Sequence, residues 1–262
     1  MNMKSLFATA AFAFAAISAS NALAGDIVSL KFSNGRADVV GLENVKEVLK
    51  PLGIHIQTID IPQSAKPILE ASHKRALTKP EQNELISIFG MDQAQLLEQV
   101  KLAGRTPAVS GGGVLTEETG VGPYPKVYDM RALDQKTHKA VLEKYGRMHV
   151  NSADDGTDVD EVMTVVAGGP FRWGFTMKDG SIARFQVDEV SLDDQAVRVS
   201  YHGLGMHAGI MDAKQGLIVA YAHGPKEFTM RYESNVPHAE LLGTNPWIDF
   251  GGEMPVVLDK VK

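Results

Sequence analysis

The stretch that decides the fold runs from residue 161 to residue 190 and reads EVMTVVAGGPFRWGFTMKDGSIARFQVDEV. It holds three short runs rich in β-branched and aromatic residues, at 161–166, 171–177 and 182–190. Gly-Gly-Pro and Lys-Asp-Gly separate these runs, and both tripeptides favour tight turns. The stretch therefore predicts consecutive antiparallel strands joined by short turns.

The same pattern continues on both sides of this stretch. Further runs of this kind lie at 148–150, 196–201, 217–222 and 228–232, with Gly and Asp in the segments between them. Short strands that recur about every ten residues are typical of an antiparallel sandwich or barrel. We therefore expect a β-barrel domain over residues 146–262 that ends in a C-terminal arm.

Residues 25–145 carry a different, mixed pattern. A strand, a helix and a second strand are predicted at 27–32, 39–49 and 54–61, and a further helix at 133–145. The chain as a whole is therefore expected to have an α+β fold. In that fold an α/β and helical region precedes the β-barrel domain.

Helices are also predicted between residues 65 and 103. Thr78 with Glu81, and Asp92 with Gln95, have the spacing of capping boxes, in which two side chains bond the free backbone N–H groups of a helix start. Apolar residues follow each box at helical spacing, so a pair of short packed helices is expected here.

The N-terminal 24 residues have the composition of a signal peptide. Lys4 precedes an apolar run at 6–17, and residues 22–24 read Ala-Leu-Ala, which fits a signal peptidase site. The apolar run is too short to span a membrane. We expect cleavage near Ala24, so that the mature protein begins at Gly25 and works in the periplasm or outside the cell.

Composition excludes several classes of function. The chain has no Cys, so disulfide chemistry, thiol catalysis and Cys-ligated metals are excluded. Its formal net charge is −6, without a basic run, which argues against nucleic acid and against an anionic membrane as partners of the mature protein. A small-molecule ligand or substrate is the expected partner, and no feature of the sequence indicates an oligomeric state.

The residues that can carry chemistry are histidines of the strand-rich half. His149, His202 and His207 lie on predicted strands or at their ends, and Glu161 opens another strand. Imidazole and carboxylate together suit a divalent metal ion such as Fe, Zn, Mn or Ni. A strand histidine can equally be a structural residue held by hydrogen bonds, and both interpretations remain open for each of the three.

The order of these residues resembles the cupin superfamily. Cupins have a first motif of His-x-His, then Glu, then Gly after six further residues, and a second motif that brings His just ahead of a closing strand. Here His149-Val150-Asn151, then Glu161 and Gly168, then Gly205-Met206-His207 follow a similar order within residues 145–225. Asn stands where the second His is usual, and nine residues separate it from Glu161.

The resemblance implies a metal site on the inner face of a small β-barrel. By this likeness His149, Glu161 and His207 occupy three ligand positions, and His202 or His223 is a candidate for the place that Asn151 fills poorly. It also implies that Glu161 takes part in catalysis by neutralising charge on the metal.

The sequence is compatible with three alternative functions. The first is a metal-dependent cupin-type enzyme that acts on a small molecule, and the second is a non-catalytic module that binds a small ligand. The third is a periplasmic copper carrier, suggested by Met148, Met206 and Met211 beside the histidines.

Overall fold

The computed structural model describes residues 27–107, 124–225 and 227–261, and the predicted signal peptide at residues 1–24 lies outside them. In chain order the strands are β1 (Val28–Phe32), β2 (Val39–Val40), β3 (His55–Ile59), β4 (Lys126–Asp129), β5 (Val150–Ser152), β6 (Asp160–Gly168), β7 (Phe171–Thr176), β8 (Ile182–Val187), β9 (Ala196–His202), β10 (His207–Ile210), β11 (Gly216–His223), β12 (Thr229–Arg231), β13 (Ile248–Asp249) and β14 (Val256–Val257). The helices are α1 (Leu42–Leu49), α2 (Lys66–Ser72), α3 (Lys79–Ile88), α4 (Gln93–Leu102) and α5 (Gln135–Tyr145), with single 3₁₀ turns at Lys50–Leu52, Met130–Ala132 and Ala239–Leu241.

Two five-stranded antiparallel sheets form the body of the molecule. The first has the strand order β10-β7-β8-β1-β2 and the second the order β3-β9-β6-β11-β4. Strands β5 and β12 form a two-stranded ribbon, as do β13 and β14. Pairings among the described strands do not join the two sheets into one ring, so the predicted barrel is observed as two facing sheets.

The seven strands predicted after residue 146 all correspond to observed strands, with ends that differ by a few residues. They are β5, β6, β7, β8, β9, β11 and β12. The unpredicted strands are β2, β13 and β14, each of two residues, together with β4 and β10. Strands β4 and β10 are only four residues long, and β10 contains Gly209, which has no side chain to add to a strand pattern.

Strands from before residue 146 complete both sheets. Strand β1 pairs with β8 in the first sheet, whereas β3 pairs with β9 and β4 with β11 in the second. The predicted strand, helix and strand at residues 27–61 are therefore present, but the two strands do not share one sheet. The helix begins at Leu42 rather than at residue 39, because Val39 and Val40 pair with β1 as strand β2. Each sheet takes strands from both sides of residue 146.

The main hydrophobic core lies between the inner faces of the two sheets. In β6, Met163 and Val165 point into this core, while Val162 and Val166 point to the outer face of the second sheet. Residues of β6 are buried on both faces, which explains why its sequence is a nearly continuous apolar run rather than an alternating one.

The outer face of the second sheet is covered by helices α2, α3 and α4. Helices α3 and α4 begin at the predicted capping boxes, in which Thr78 accepts from the N–H of Glu81 and Asp92 from the N–H of Gln95. Their apolar side chains pack with residues of β6 and β11, so this layer excludes water from one face of the strand that carries Glu161.

The C-terminal arm docks on the outer face of the first sheet. The Trp247 side chain is buried and lies under the guanidinium group of Arg184, 4.5 Å from ring centre to Cζ. The indole N–H of Trp247 donates to the carbonyl of Ile182 on β8. Among the described residues, none of the helices has the length and apolar character needed to cross a membrane.

Candidate metal centre

Four polar side chains meet in one small cavity between the two sheets. They are His149, immediately before β5, Asn151 on β5, Glu161 on β6 and His207 at the start of β10. The cavity volume is about 40 Å³, room for an ion and very few water molecules. The rest of the wall is mainly aromatic and sulfur-containing, with Tyr124, Tyr128, Tyr145, Met163, Phe171, Trp173, Tyr201, Met211 and Met230.

Backbone pairing places the two histidines side by side. The N–H of His149 donates to the carbonyl of His207 at 2.8 Å, and the N–H of His207 donates back at 3.0 Å. This antiparallel bridge joins the start of β5 to the edge of the first sheet. The two rings are consequently 4.5 Å apart between centroids, in an edge-to-face arrangement.

Both imidazoles are anchored in the same way. Nδ1 of His149 lies 2.7 Å from the carbonyl oxygen of Arg147, and Nδ1 of His207 lies 2.7 Å from that of Gly205. A carbonyl oxygen only accepts, so Nδ1 carries the proton in each ring. Metal-binding histidines are commonly held by such a second contact, which leaves Nε2 with its lone pair available.

The imidazole of His207 and the carboxylate of Glu161 lie in close contact. Nε2 of His207 lies 3.1 Å from Oε2 of Glu161, and both side chains are 3% exposed. With Nδ1 of His207 bonded to a carbonyl, Nε2 and the carboxylate oxygen would face each other with lone pairs. The amide nitrogen of Asn151 lies 2.9 Å from Oε2 of Glu161 and 3.4 Å from Nε2 of His207, so its two N–H groups can bridge these acceptors. A metal ion held by Nε2 and Oε2 would take over this bridging role.

Both carboxylate oxygens of Glu161 have a further donor. The hydroxyl of Tyr124 donates to Oε1 at 3.2 Å, and the amide of Asn151 donates to Oε2 at 2.9 Å. Tyr124 is itself buried and stacks on Phe228. The carboxylate is thus held in one orientation by two side chains from different elements.

Burial determines which of these groups carry charge. It lowers the pKa of His149 well below its ordinary value, and the neighbouring His207 adds to this effect. Burial also raises the pKa of Tyr124 and of Tyr201 well above the ordinary value, and the negative charge of Glu161 acts in the same direction. His149 is therefore neutral and the two phenols keep their protons at neutral pH.

The pair of donor atoms fits the coordination of one ion. Two ligands at about 2.1 Å from one metal and at right angles to each other are about 3.0 Å apart, close to the 3.1 Å between His207 and Glu161. Oδ1 of Asn151 is buried with no hydrogen-bond partner among the described residues. Within residues 27–107, 124–225 and 227–261, however, no three His, Asp or Glu side chains are arranged as a complete metal-holding group.

His202 does not reach this cavity. It lies at the end of β9 with its ring toward Asp158, whose Oδ2 is 2.9 Å from Nδ1. Tyr201, the preceding residue, lines the cavity around Glu161, whereas His202 does not. Neither His202 nor His223 lines the cavity around Glu161, so the expectation that one of them replaces the missing second histidine there was wrong. Asn151 lies in that cavity instead.

Tyr124 and Tyr201 were not singled out from the sequence. Tyr124 lies 37 residues before Glu161, outside any periodic run, and no local pattern links the two. Tyr201 belongs to the predicted strand at 196–201, but one sequence does not tell whether its ring lines a cavity or fills the core. The three-dimensional pairing of β6 with β9, which sets Glu161 opposite Tyr201, supplies that information.

Comparison with known proteins supports the fold alone. No protein-family profile and no curated protein matches this chain. Among solved structures it is similar to acireductone dioxygenase from Bacillus anthracis, a structure with a cadmium ion in its active centre. The match has a TM-score of 0.50 and 13% sequence identity, and it covers 76% of this chain and 94% of the other. The chain therefore has a cupin-like fold of helices and antiparallel sheets.

Proposed function

We propose that this chain is an exported, metal-dependent enzyme of the cupin type that acts on a small molecule. In this proposal His149, Glu161 and His207 hold one divalent ion of Fe, Zn, Mn or Ni. The observation that carries it is the 3.1 Å contact between Nε2 of His207 and Oε2 of Glu161, made by a ring whose other nitrogen is already bonded to a carbonyl. The similarity to a metal-containing dioxygenase supports the same class of site.

The residues of the cavity have separate tasks in this proposal. The ion, when bound, acts as a Lewis acid toward a small molecule. Glu161 offsets part of its charge, and Tyr124 and Asn151 hold the Glu161 carboxylate in position. His149 stays neutral at neutral pH because of its burial, so that it can donate a lone pair. The aromatic wall excludes water from the site.

Metal analysis of protein purified without an affinity tag tests the proposal. We expect about one Fe, Zn, Mn or Ni ion per chain in the wild type and its loss in Glu161→Gln, which keeps the shape but removes the charge. The exposed Glu47→Gln is the matched control and should retain the ion. Wild-type protein that takes up none of these metals, even after dialysis against each, would contradict the proposal.

A copper carrier is the second candidate, and one observation favours it. Met163, Met211 and Met230 line the same cavity as the two histidines, and thioether with imidazole suits copper. Of the three methionines first considered, only Met211 lines this cavity. Copper in the metal analysis would support this function, and a protein that binds no metal would support the non-catalytic binding module.

Export is a separate part of the proposal. The apolar run and the Ala-Leu-Ala sequence before Gly25 support cleavage at that point. The intact mass of the protein recovered from the periplasm or the medium tests this. A mass that begins at Gly25 is expected, whereas one that retains residues 1–24 would refute cleavage.

A further inference from the structure

A second, larger cavity adjoins the candidate metal centre. It has a volume of about 360 Å³, within the range of ligand pockets, whereas the cavity around Glu161 has about 40 Å³. The smaller cavity has no room for an organic molecule. Most of an organic ligand would therefore have to lie outside the smaller cavity. The larger cavity is next to it.

Tyr201 is the wall that the two cavities share. Its ring lies 4.7 Å from the ring of His207 on one side and 5.5 Å from that of Phe175, which lines the larger cavity. Tyr201 is 4% exposed. A molecule in the larger cavity thus contacts a side chain that also packs on a proposed metal ligand.

Most of the described lining of the larger cavity is apolar, and Lys178 is the only Lys or Arg side chain in it. Leu52, Ile54, Phe175 and Met206 supply apolar surface. Lys178 is exposed at the edge, and none of the described lining residues is Asp or Glu, although the chain as a whole has a net charge of −6. This combination favours an apolar molecule with a negative charge.

The cavity also contains polar groups suited to a ligand. Oγ1 of Thr176 is buried and has no hydrogen-bond partner among the described residues. His202, which the sequence had suggested as a metal ligand, lines this cavity, with its Nδ1 directed to Asp158. Because Oγ1 itself is shielded, the ring of His202 is the one of these two polar groups that a ligand in the cavity contacts.

We infer that this second cavity binds a small organic anion with an apolar body, held by the apolar wall and by Lys178. The further identification of this anion as the substrate rests on the proposed function, because it depends on a metal behind Tyr201. Binding in the cavity does not depend on the metal. Ligand binding in the second cavity and metal binding at the candidate centre can therefore be tested separately.

A fluorescence titration of the full, metal-free chain with 1-anilinonaphthalene-8-sulfonate, an apolar anion, tests the location. Leu52 lines the cavity, so Leu52→Trp should fill part of it and weaken binding at least about ten-fold. Val40→Trp, at an exposed position that does not line the cavity, is the control and should bind as the wild type does. Equal affinity of wild type and Leu52→Trp would overturn the assignment.

Far-UV circular dichroism and thermal unfolding establish that each variant is folded. If Leu52→Trp does not fold, Leu204→Trp fills the same cavity from the turn between β9 and β10. Retained dye binding in that folded variant overturns the location in the same way. Loss of binding in it supports the location.

The charge preference is tested with Lys178→Glu. The anionic dye should bind roughly five-fold more weakly, while the uncharged N-phenyl-1-naphthylamine should change by less than about two-fold. The exposed Lys214→Glu, outside the cavity, should affect neither dye. Equal effects of Lys178→Glu on both dyes, or none on either, would overturn the anionic character of the ligand.

These results separate this inference from the proposed function. A chain that binds the dye but no Fe, Zn, Mn or Ni supports the second cavity and contradicts the metal-dependent enzyme. A chain that binds metal but no dye supports the metal-dependent enzyme and contradicts the second cavity as a ligand site.

Discussion

The carboxylate of Glu161 is held by hydrogen bonds to both of its oxygens. Tyr124 donates to Oε1 and Asn151 to Oε2, and the pKa of the Tyr124 phenol is raised by burial, so that it stays a donor. Contacts of this kind orient a ligand before the ion arrives, and their removal commonly weakens metal binding. Tyr124 is therefore a positioning residue in the proposed site.

Tyr124→Phe tests this role. The ring should keep its stacking on Phe228, but Oε1 of Glu161 loses its donor. We expect metal affinity to fall about ten-fold, with little change in the unfolding temperature. Isothermal titration calorimetry with Zn²⁺ or Mn²⁺ measures the metal affinity. Tyr221→Phe, which removes a hydroxyl bonded to the Ile86 carbonyl on the helical face, is the control and should leave metal affinity unchanged.

His149 makes the stability of the metal-free protein depend on pH. Burial lowers its pKa well below the ordinary 6.5, so the unfolded chain takes up this proton at a higher pH than the folded protein does. Stability from this group is complete above about pH 6.5 and falls as the pH drops toward the lowered pKa, with a slope of up to about 1.4 kcal/mol per pH unit.

His149→Phe should remove this contribution while keeping a ring at the position. Urea unfolding between about pH 7.5 and 5.5 measures the slope, which should be smaller in the variant than in the wild type. The exposed His73→Gln should keep the wild-type slope. A slope that is identical in His149→Phe and wild type would show that His149 does not govern this loss of stability.

At the scale of elements, the sequence is most informative where local physics decides the structure. Capping boxes at Thr78 and Asp92 were predicted because a helix start has free N–H groups that nearby side chains must bond. Strand β10 could not be predicted in this way, because its four residues are ordered by pairing with β7, which precedes it by more than thirty residues. Pairing between strands that are distant in the chain leaves no pattern in a short stretch of sequence.

In the candidate site, too, some features follow from the local sequence and others from long-range contacts. The types and order of His149, Glu161 and His207 indicated a shared site, and the structure brings these three side chains into one cavity. The contacts that define its geometry, from Tyr124 and from the carbonyls of Arg147 and Gly205, depend on backbone placement. They could therefore not be derived from residue types.

The turn after β9 fixes the position of β5. Asn151 donates its backbone N–H to the carbonyl of Gly203, and the N–H of Gly203 donates to Val159. A Cβ at Gly203 would lie 2.3 Å from the carbonyl oxygen of Asn151, closer than atoms can approach, and that atom belongs to rigid backbone. The close contact of these two elements thus requires glycine.

Gly203→Ala should separate the turn from β5 and displace Asn151 from Glu161. We expect a loss of about 1–3 kcal/mol in the free energy of unfolding, together with weaker metal binding. Chemical denaturation and a metal titration measure the two effects. Gly252→Ala, where the nearest atom to a new Cβ is at 3.5 Å, should change neither. Wild-type stability in Gly203→Ala would mean that the turn can move without cost.

At the scale of the whole molecule, the two halves of the chain depend on each other. The first sheet is completed by β1 and β2 and the second by β3 and β4, so a chain that began at residue 146 would leave both sheets with open edges and exposed core. Glu161 lies on a strand whose outer face is covered by helices from the first half. The candidate site therefore needs both halves to fold.

Unfolding of the full chain should accordingly be a single cooperative transition. Both tryptophans, Trp173 and Trp247, belong to the second half, whereas α1 to α5 all precede residue 146. Tryptophan fluorescence and circular dichroism at 222 nm therefore report mainly on different halves, and their urea midpoints should coincide. Two separate midpoints would show that the halves unfold independently. In that case the strands shared between them would contribute little to the stability of either sheet.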